Sequence, residues 1–293
     1  MLHAPGARSL QRQRARPSGT SLQPRLLCQL FASALPSLLA CSPELPEWDE
    51  ATWHIASTPA DGANGVDRRG RIVVAFDRLP LANSIGHGSV DLRSGSVRSA
   101  LDLRLQPLTR ELWIDVRAPL EPEIRYELEL RDLLDLDAQR QPKPYRARFE
   151  TGVSLGEISP DPELNVSDVL ALLAQRCGRQ GCHGGADPLA GLDLGSAAGI
   201  EITAKNVPSA IVQGSTPRGA GTSGLLHVAA PLRIDTTGER GEPARSYLIF
   251  KLLGPDHILG DVMPPPGEPA LSASEIQQLC DWIYAGAPTQ RRE

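Results

Sequence analysis

The chain has 293 residues with 26 prolines, 27 glycines and 4% aromatic residues, a composition that favours two modest domains with many turns over one large helical body. Its formal net charge is −5, and loss of residues 1–40, which hold five arginines and no acid, would change that charge to −10. An acidic chain without clustered lysine or arginine argues against nucleic acid as its partner.

The first 41 residues have the pattern of an export signal. A basic segment precedes the apolar run "LLCQLFASALPSLLAC", which is too short to span a bilayer. The run ends in Leu38, Leu39, Ala40 and Cys41 and resembles the lipobox of bacterial lipoproteins. That resemblance implies cleavage before Cys41, lipidation of Cys41 and, with Ser42 following it, an anchor in the outer membrane. An ordinary signal peptide and an apolar helix with a chance cysteine are the alternatives.

Four later segments alternate apolar and polar residues with the period of two that is typical of half-buried strands. Turn-forming residues separate these segments, so the sequence predicts an all-β sandwich. The apolar positions are Ile72, Val74 and Phe76; Leu112, Ile114 and Val116; Tyr126, Leu128 and Leu130; and Tyr145, Ala147 and Phe149.

The segments "STPADGANGV" (57–66), "IVVAFDRLP" (72–80), "PLEPEIRYELEL" (119–130) and "RFETG" (148–152) resemble the bacterial Ig-like domain of S-layer proteins and surface lipoproteins. The resemblance implies a sandwich that acts as a spacer or stalk. Three carboxylates in the loop "RDLLDLD" could form a calcium loop, but a solvated turn is favoured because neither a glycine turn nor a bidentate glutamate accompanies them. They are Asp132, Asp135 and Asp137.

Three helices are expected after residue 165. Asn165 or Ser167 can cap the run "DVLALLAQR", and "PARSYLIFKLLGP" ends at Gly254 and Pro255. In the last helix, Ser272 and Glu275 have capping-box spacing and Gly286 follows the helix. Its apolar face holds Ile276, Leu279, Cys280 and Ile283, which predicts that Cys280 is a buried, inert thiol.

The stretch "CGRQGCHGG", residues 177–185, carries the chemistry of this half. Two thiols followed by an imidazole are typical of c-type haem attachment, although the usual spacing is CxxCH and here four residues separate the cysteines. A Cys177–Cys182 disulfide is a second possibility. Zinc is disfavoured because adjacent Cys182 and His183 rarely both reach one tetrahedral ion.

Elements "CHGG" (182–185), "GLDL" (191–194), "SYLIFKLLG" (246–254), "MPPPG" (263–267) and the closing helix resemble, in that order, the cytochrome c-like haem domains of bacterial envelope proteins. The resemblance implies one covalent haem c. Cys177 and Cys182 would form the thioethers, His183 would be the proximal iron ligand and Met263 the distal one. Met263 is the only methionine besides Met1; His227 and His257 are alternative distal ligands.

The sequence therefore predicts an all-β Ig-like sandwich followed by a mainly α cytochrome c-like domain. The predicted boundaries are a signal peptide at 1–40, a linker at 41–53, the sandwich at 54–152, a linker at 153–164, the cytochrome c-like domain at 165–288 and a tail at 289–293.

The function expected from these features is one-electron transfer or haem carriage at the cell envelope, with a lipid anchor in the membrane and envelope redox or surface proteins as partners. An electron carrier or interaction protein is favoured over an enzyme, because the sequence has no HExxH helix and no paired-carboxylate signature. The alternative is a non-redox surface protein that binds no haem and in which a disulfide joins Cys177 to Cys182.

Overall fold

Two β-sheets form the first half of the described chain. The structure is a computed structural model that describes residues 52–157, 163–209, 232–254, 258 and 261–290. In chain order the strands are β1 (Ile55–Thr58), β2 (Ala63–Val66), β3 (Ile72–Phe76), β4 (Val90–Ser94), β5 (Val97–Arg98), β6 (Leu101–Gln106), β7 (Glu111–Val116), β8 (Arg125–Leu130) and β9 (Tyr145–Thr151).

One sheet has the order β1-β3-β7-β6 and the other β2-β9-β8-β4-β5. All these pairs are antiparallel except β2 and β9. The register places Ile72 opposite Ile114 in the first sheet and Leu128 opposite Ala147 in the second, and all four residues are buried. The period of two thus directs one face of each sheet inward, and the predicted β-sandwich is confirmed.

Aromatic contacts close the sandwich core. The rings of Tyr126 and Phe149 stack with centroids 6.1 Å apart, and Trp53 meets Phe76 edge-on at 6.3 Å. Around them pack the aliphatic side chains of both inner faces, among them the fully buried Leu92. Burial of each such side chain stabilises the fold by about 1.5–3 kcal/mol relative to exposure.

Sequence analysis did not predict strand β2, which contains the turn-forming residues Asn64 and Gly65. The segment pairs with β9 only at Ala63 opposite Phe149 and Val66 opposite Thr151, with an irregularity between the two pairs. Gly65 supplies the positive φ of 69° at that irregularity. Pairing with β9, and not local propensity, makes this segment a strand. Its Asn and Gly residues have low strand propensity, so the strand cannot be predicted from its own sequence.

The loop after β8 differs from the solvated turn expected there. Asp132 is exposed, but Asp135 is only 5% exposed and lies inside the turn. Its Oδ1 accepts hydrogen bonds from the backbone N–H groups of Asp137 and Gln139, both at 2.9 Å, and its Oδ2 lies 3.6 Å from Arg78. The Asp135 carboxylate therefore shapes the loop from within.

The named elements described after residue 163 are helices. The α-helices are α1 (Val166–Arg176), α2 (Ala197–Gly199), α3 (Tyr247–Leu253) and α4 (Ala273–Tyr284). Short 3-10 helices lie at Ala82–Ser84 in the sandwich and at Leu189–Gly191 and Pro243–Arg245 in this half, and a π-helical turn spans Ile200–Ala204. A cytochrome c-like fold is not shown for this half and stays a prediction.

The predicted helix ends are confirmed. Asn165 is the N-cap of α1, and its side chain accepts a hydrogen bond from the Ser167 N–H at 3.1 Å. Ser272 and Glu275 form the reciprocal capping box of α4. Gly254 ends α3 in the left-handed conformation with φ of 64°.

The core of the helical half lies between α1, α3 and α4. The face of α4 predicted to be apolar is buried, and Cys280 is 0% exposed, as expected. Leu173 from α1, Ile249 from α3 and the fully buried Trp282 belong to the same cluster. The Trp282 indole N–H donates to the carbonyl of Pro288 at 2.8 Å, so its buried polar atom is satisfied.

The sandwich and the helical half meet in a polar contact, which we call the sandwich–helix junction. Arg104 of β6, 4% exposed, pairs with Asp281 of α4, and its guanidinium lies 3.8 Å from the centre of the Tyr284 ring. Gln277 of α4 donates to Gln106 of β6 at 3.2 Å. The two halves are therefore in specific contact.

Candidate functional site

Helix α1 fixes the first thiol of the motif. Val169 and Leu173 are fully buried, which anchors the helix in the core. Cys177 is its C-cap, and the backbone N–H groups of Cys177 and Gly178 both donate to the carbonyl of Leu173, at 2.9 and 2.8 Å. The loop of residues 177–185, which we call the motif loop, therefore starts from a rigid helix end, as the sequence predicts.

The motif loop folds back on its own first residue. The His183 N–H donates to the carbonyl of Cys177 at 3.0 Å, and the Cys182 N–H donates to the carbonyl of Arg179 at 3.0 Å. Further along the chain, the Leu194 N–H donates to the carbonyl of His183 at 2.7 Å, which ties in the "GLDL" segment. Four intervening residues thus form a closed turn that places Cys177 next to His183 in space.

Glycines permit this compact loop. A Cβ on Gly184 would lie 1.9 Å from the carbonyl oxygen of Gly178, and one on Gly178 would lie 2.3 Å from the Cα of Gly195. Gly181 and Gly185 have φ of 82° and 87°, which an L side chain rarely adopts. Close backbone packing therefore requires glycine at positions 178 and 184.

The two motif thiols are free and lie within electrostatic reach of each other. Both are half-buried. Burial, and to a lesser extent the neighbouring Cys182, raise the pKa of Cys177 to about 11, while the charge of Arg176 opposes that rise. At neutral pH Cys177 is therefore a protonated thiol.

The ring of His183 is held in one tautomer. Its Nδ1 lies 3.1 Å from the carbonyl oxygen of Leu189, and because a carbonyl only accepts, Nδ1 carries the proton. Burial lowers the pKa of the imidazole, and the charges of Arg233 and Lys251 lower it further, against the carbonyls of Leu189 and Leu192. A neutral ring protonated at Nδ1 has its lone pair at Nε2, the arrangement of a metal-ligating histidine.

Arg233 is a member of this site that sequence analysis missed. Its guanidinium donates to three carbonyls, those of Ala190 at 2.5 Å, Gly191 at 2.9 Å and Thr203 at 2.7 Å. Leu189, Ala190 and Gly191 form one 3-10 helix, so His183 and Arg233 bind consecutive carbonyls of the same turn. No motif marks Arg233, because 50 residues separate it from His183 and only the fold brings them together.

Met263 is tied to the same region through α3. Its backbone N–H donates to the carbonyl of Lys251 at 2.8 Å, and its side chain is half-buried. The Lys251 ammonium donates to the carbonyl of Asp261 at 2.7 Å and is one of the charges that lower the pKa of His183. Cys177, Cys182 and His183 thus lie in one loop. The Met263 backbone is bonded to Lys251, whose charge lowers the pKa of His183.

Other predicted site residues lie outside the described residues: the lipidation site Cys41 and the alternative ligands His227 and His257. Within the described part of the chain, no group of three or more His, Cys, Asp or Glu side chains could hold a metal ion. No helix among those residues is long and apolar enough to cross a membrane. A surface depression of about 410 Å³ lies at the β1–β3 edge, and the motif residues do not line it.

No family model matches this chain, and no curated protein matches it either. Solved structures with partial similarity include the copper resistance protein PcoC from Escherichia coli, at 16% identity, covering 33% of this chain and 95% of that chain with a TM-score of 0.27. CopC from Methylosinus trichosporium OB3b is 14% identical over 34% of this chain and 94% of that chain, with a TM-score of 0.27.

The N-terminal part of the bacterial S-layer protein SbsC is 9% identical over 34% of this chain and 24% of that chain, with a TM-score of 0.28. Each of these similarities thus covers about a third of this chain. The cytochrome c-like character of residues 165–288 finds no support in them and stays a prediction.

Proposed function

We propose that this chain is a cell-envelope protein that holds one haem c covalently and transfers single electrons. Cys177 and Cys182 would form the thioethers, and His183 and Met263 would hold the iron. The observation that carries the proposal is the hydrogen bond from Nδ1 of His183 to the carbonyl of Leu189, which leaves the lone pair of the neutral ring on Nε2, in the residue that follows Cys182. When bound, such a haem exchanges one electron between ferric and ferrous iron.

The donor chemistry of the motif loop fits this group. Haem c attachment needs two reduced thiols, and both cysteines are free in the structure. It also needs a neutral imidazole, and the pKa of His183 is lowered by burial. The four-residue spacer does not hold the cysteines apart, because the hydrogen bond from His183 to Cys177 closes the turn. A thioether ligand such as Met263 would raise the reduction potential, which suits electron transfer.

The proposed location is the envelope, through a lipid on Cys41. The supporting features are the basic segment, the short apolar run and the Leu-Leu-Ala-Cys sequence at 38–41. Replacement of Cys41 with Ser is expected to release the protein from the membrane fraction into the soluble fraction, measured by fractionation and immunoblotting. Cys28→Ser, the same change earlier in the apolar run, is the matched control and should leave the protein in the membrane fraction. Release of this variant from the membrane would contradict lipidation at Cys41.

The decisive experiment is expression of the full chain in a host with c-type maturation, followed by denaturation. We expect the mass to increase by one haem, and the denatured protein to keep the reduced absorption bands of a c-type haem. His183→Ala should abolish the native spectrum, whereas His87→Ala, a change at an exposed turn residue, should not. A mass two hydrogens below that of the reduced chain would instead support a Cys177–Cys182 disulfide and the non-redox surface protein.

A further inference from the structure

Arg233 is a partly buried cation without a carboxylate partner among the residues that the structure describes. Its three hydrogen bonds all go to neutral carbonyls. Asp193, in the adjoining "GLDL" segment, directs its carboxylate to the Gly195 N–H and the Ser196 hydroxyl instead. Burial lowers the pKa of Arg233, and no acidic group offsets that effect. A partly buried guanidinium of this kind can still bind an anion through charge-assisted hydrogen bonds.

The position of this cation relates it to the candidate haem site. The turn Leu189–Gly191 offers its first carbonyl to His183 and its next two to Arg233. A ligand bound at Nε2 of His183 would therefore have a fixed positive charge beside it.

The guanidinium keeps donors available for such a ligand. It carries five N–H groups, and three of them donate to the carbonyls of Ala190, Gly191 and Thr203. Two donors remain. Guanidinium groups bind carboxylates through paired N–H donors, a geometry that an ammonium cannot reproduce.

We propose that Arg233 binds a propionate carboxylate of the haem attached to the motif loop. This inference rests on the proposed function, because the carboxylate belongs to that haem. A porphyrin of this type carries two propionates, and a positioned, partly buried arginine without an acidic partner matches one of them in charge and in donor geometry. The carbonyl clamp from Leu189–Gly191 and Thr203 holds the arginine in place before the haem is attached.

The ion pair has a redox consequence. An ionised propionate stabilises ferric iron by its negative charge, and pairing with Arg233 offsets that charge. The pair therefore raises the reduction potential, and loss of Arg233 is expected to lower it.

The test uses the haem-loaded full chain with Arg233→Gln, and with Lys205→Gln as a matched control. Lys205 is a cation of the same half whose ammonium pairs with Glu201 at 3.0 Å. The measurements are the haem mass, the midpoint potential and the propionate-bending bands of the resonance Raman spectrum. Arg233→Gln should keep the haem, lower the potential and shift those bands, whereas Lys205→Gln should leave the bands unchanged.

The outcomes separate the two proposals. Covalent haem in both proteins with equal potentials and equal bands would overturn the role of Arg233 and leave the haem proposal standing. A wild-type chain without haem would overturn both. Where Arg233→Gln gives no folded protein, Arg233→Lys decides: it keeps the charge but loses the paired donors, so the bands should shift, and unchanged bands would reject the inference.

Discussion

The hydrogen bond at Nδ1 of His183 sets what this residue can do. Because the Leu189 carbonyl fixes the proton on Nδ1, the ring is ready to bind a metal through Nε2 without a change of tautomer. The neighbouring charges of Arg233 and Lys251 keep the ring neutral by lowering its pKa. A histidine prepared in this way differs from the exposed His87, whose position in a turn imposes no such role.

Met263→Ala tests whether Met263 is the second iron ligand. We expect the haem to remain covalently attached, since its attachment depends on Cys177 and Cys182, and the potential to fall because a thioether favours ferrous iron. Redox titration with absorption spectroscopy measures this change. A potential equal to that of the wild-type protein would remove Met263 from the iron and return His227 and His257 as candidates.

Thiol reactivity provides a test that needs no haem. Burial raises the pKa of Cys280 to about 12, so at pH 8 only about one molecule in ten thousand carries the thiolate that alkylating reagents attack. An alkylating reagent should therefore modify Cys280 far more slowly in native haem-free protein than in urea-unfolded protein. Peptide mass spectrometry follows the modification. Equal rates in the two states would contradict the burial of this thiol on α4.

At the scale of elements, the N-terminus of α4 illustrates how sequence determines local structure. The Ser272 side chain accepts from the Glu275 N–H at 3.2 Å, and the Glu275 carboxylate accepts from the Ser272 N–H at 2.6 Å. These bonds satisfy two N–H groups that a helix start leaves without partners. The apolar face that begins at Ile276 can then pack against the core.

Ser272→Ala should lower the free energy of unfolding by about 1 kcal/mol, the usual cost of a lost N-cap. Glu275→Gln should cost less, because an amide oxygen can still accept from the Ser272 N–H. Urea denaturation followed by tryptophan fluorescence measures both changes. A larger loss for Glu275→Gln than for Ser272→Ala would mean that charge, and not the cap hydrogen bonds, stabilises this helix start.

Periodic patterns and caps predicted the sandwich and α4, because both depend on residues close together in the sequence. They did not predict β2, which becomes a strand only through β9, nor the buried Asp135, whose partner Arg78 lies far away in the chain. Arg233 was not predicted either, because the carbonyls that it binds lie far from it in the sequence. The motif cysteines and His183 were identified as candidate site residues because all three lie close together in the sequence.

At the scale of the whole molecule, the sandwich–helix junction joins the two halves through a buried cation. Asp281→Ala would leave Arg104 without this carboxylate in a position only 4% exposed. We expect a loss of about 3 kcal/mol in the free energy of unfolding, the usual cost of removing one partner of a buried ion pair. Chemical denaturation monitored by circular dichroism and fluorescence measures the loss.

The exposed pair of Arg117 with Asp102 in the same sandwich is the matched control. Arg117→Ala should cost less than about 1 kcal/mol because solvent screens that pair. A loss for Asp281→Ala no greater than this control would show that the junction does not stabilise the protein.

The sandwich–helix junction also bears on how electrons could reach the proposed haem. Tunnelling falls steeply with distance, so the rate depends on how closely a donor or acceptor approaches the porphyrin edge. The pairs Arg104–Asp281 and Gln106–Gln277 hold the sandwich against the helices. A redox partner that approaches the proposed haem would therefore have to accommodate the sandwich as well. The sandwich would then act as a steric filter, admitting only those redox partners whose outline accommodates both.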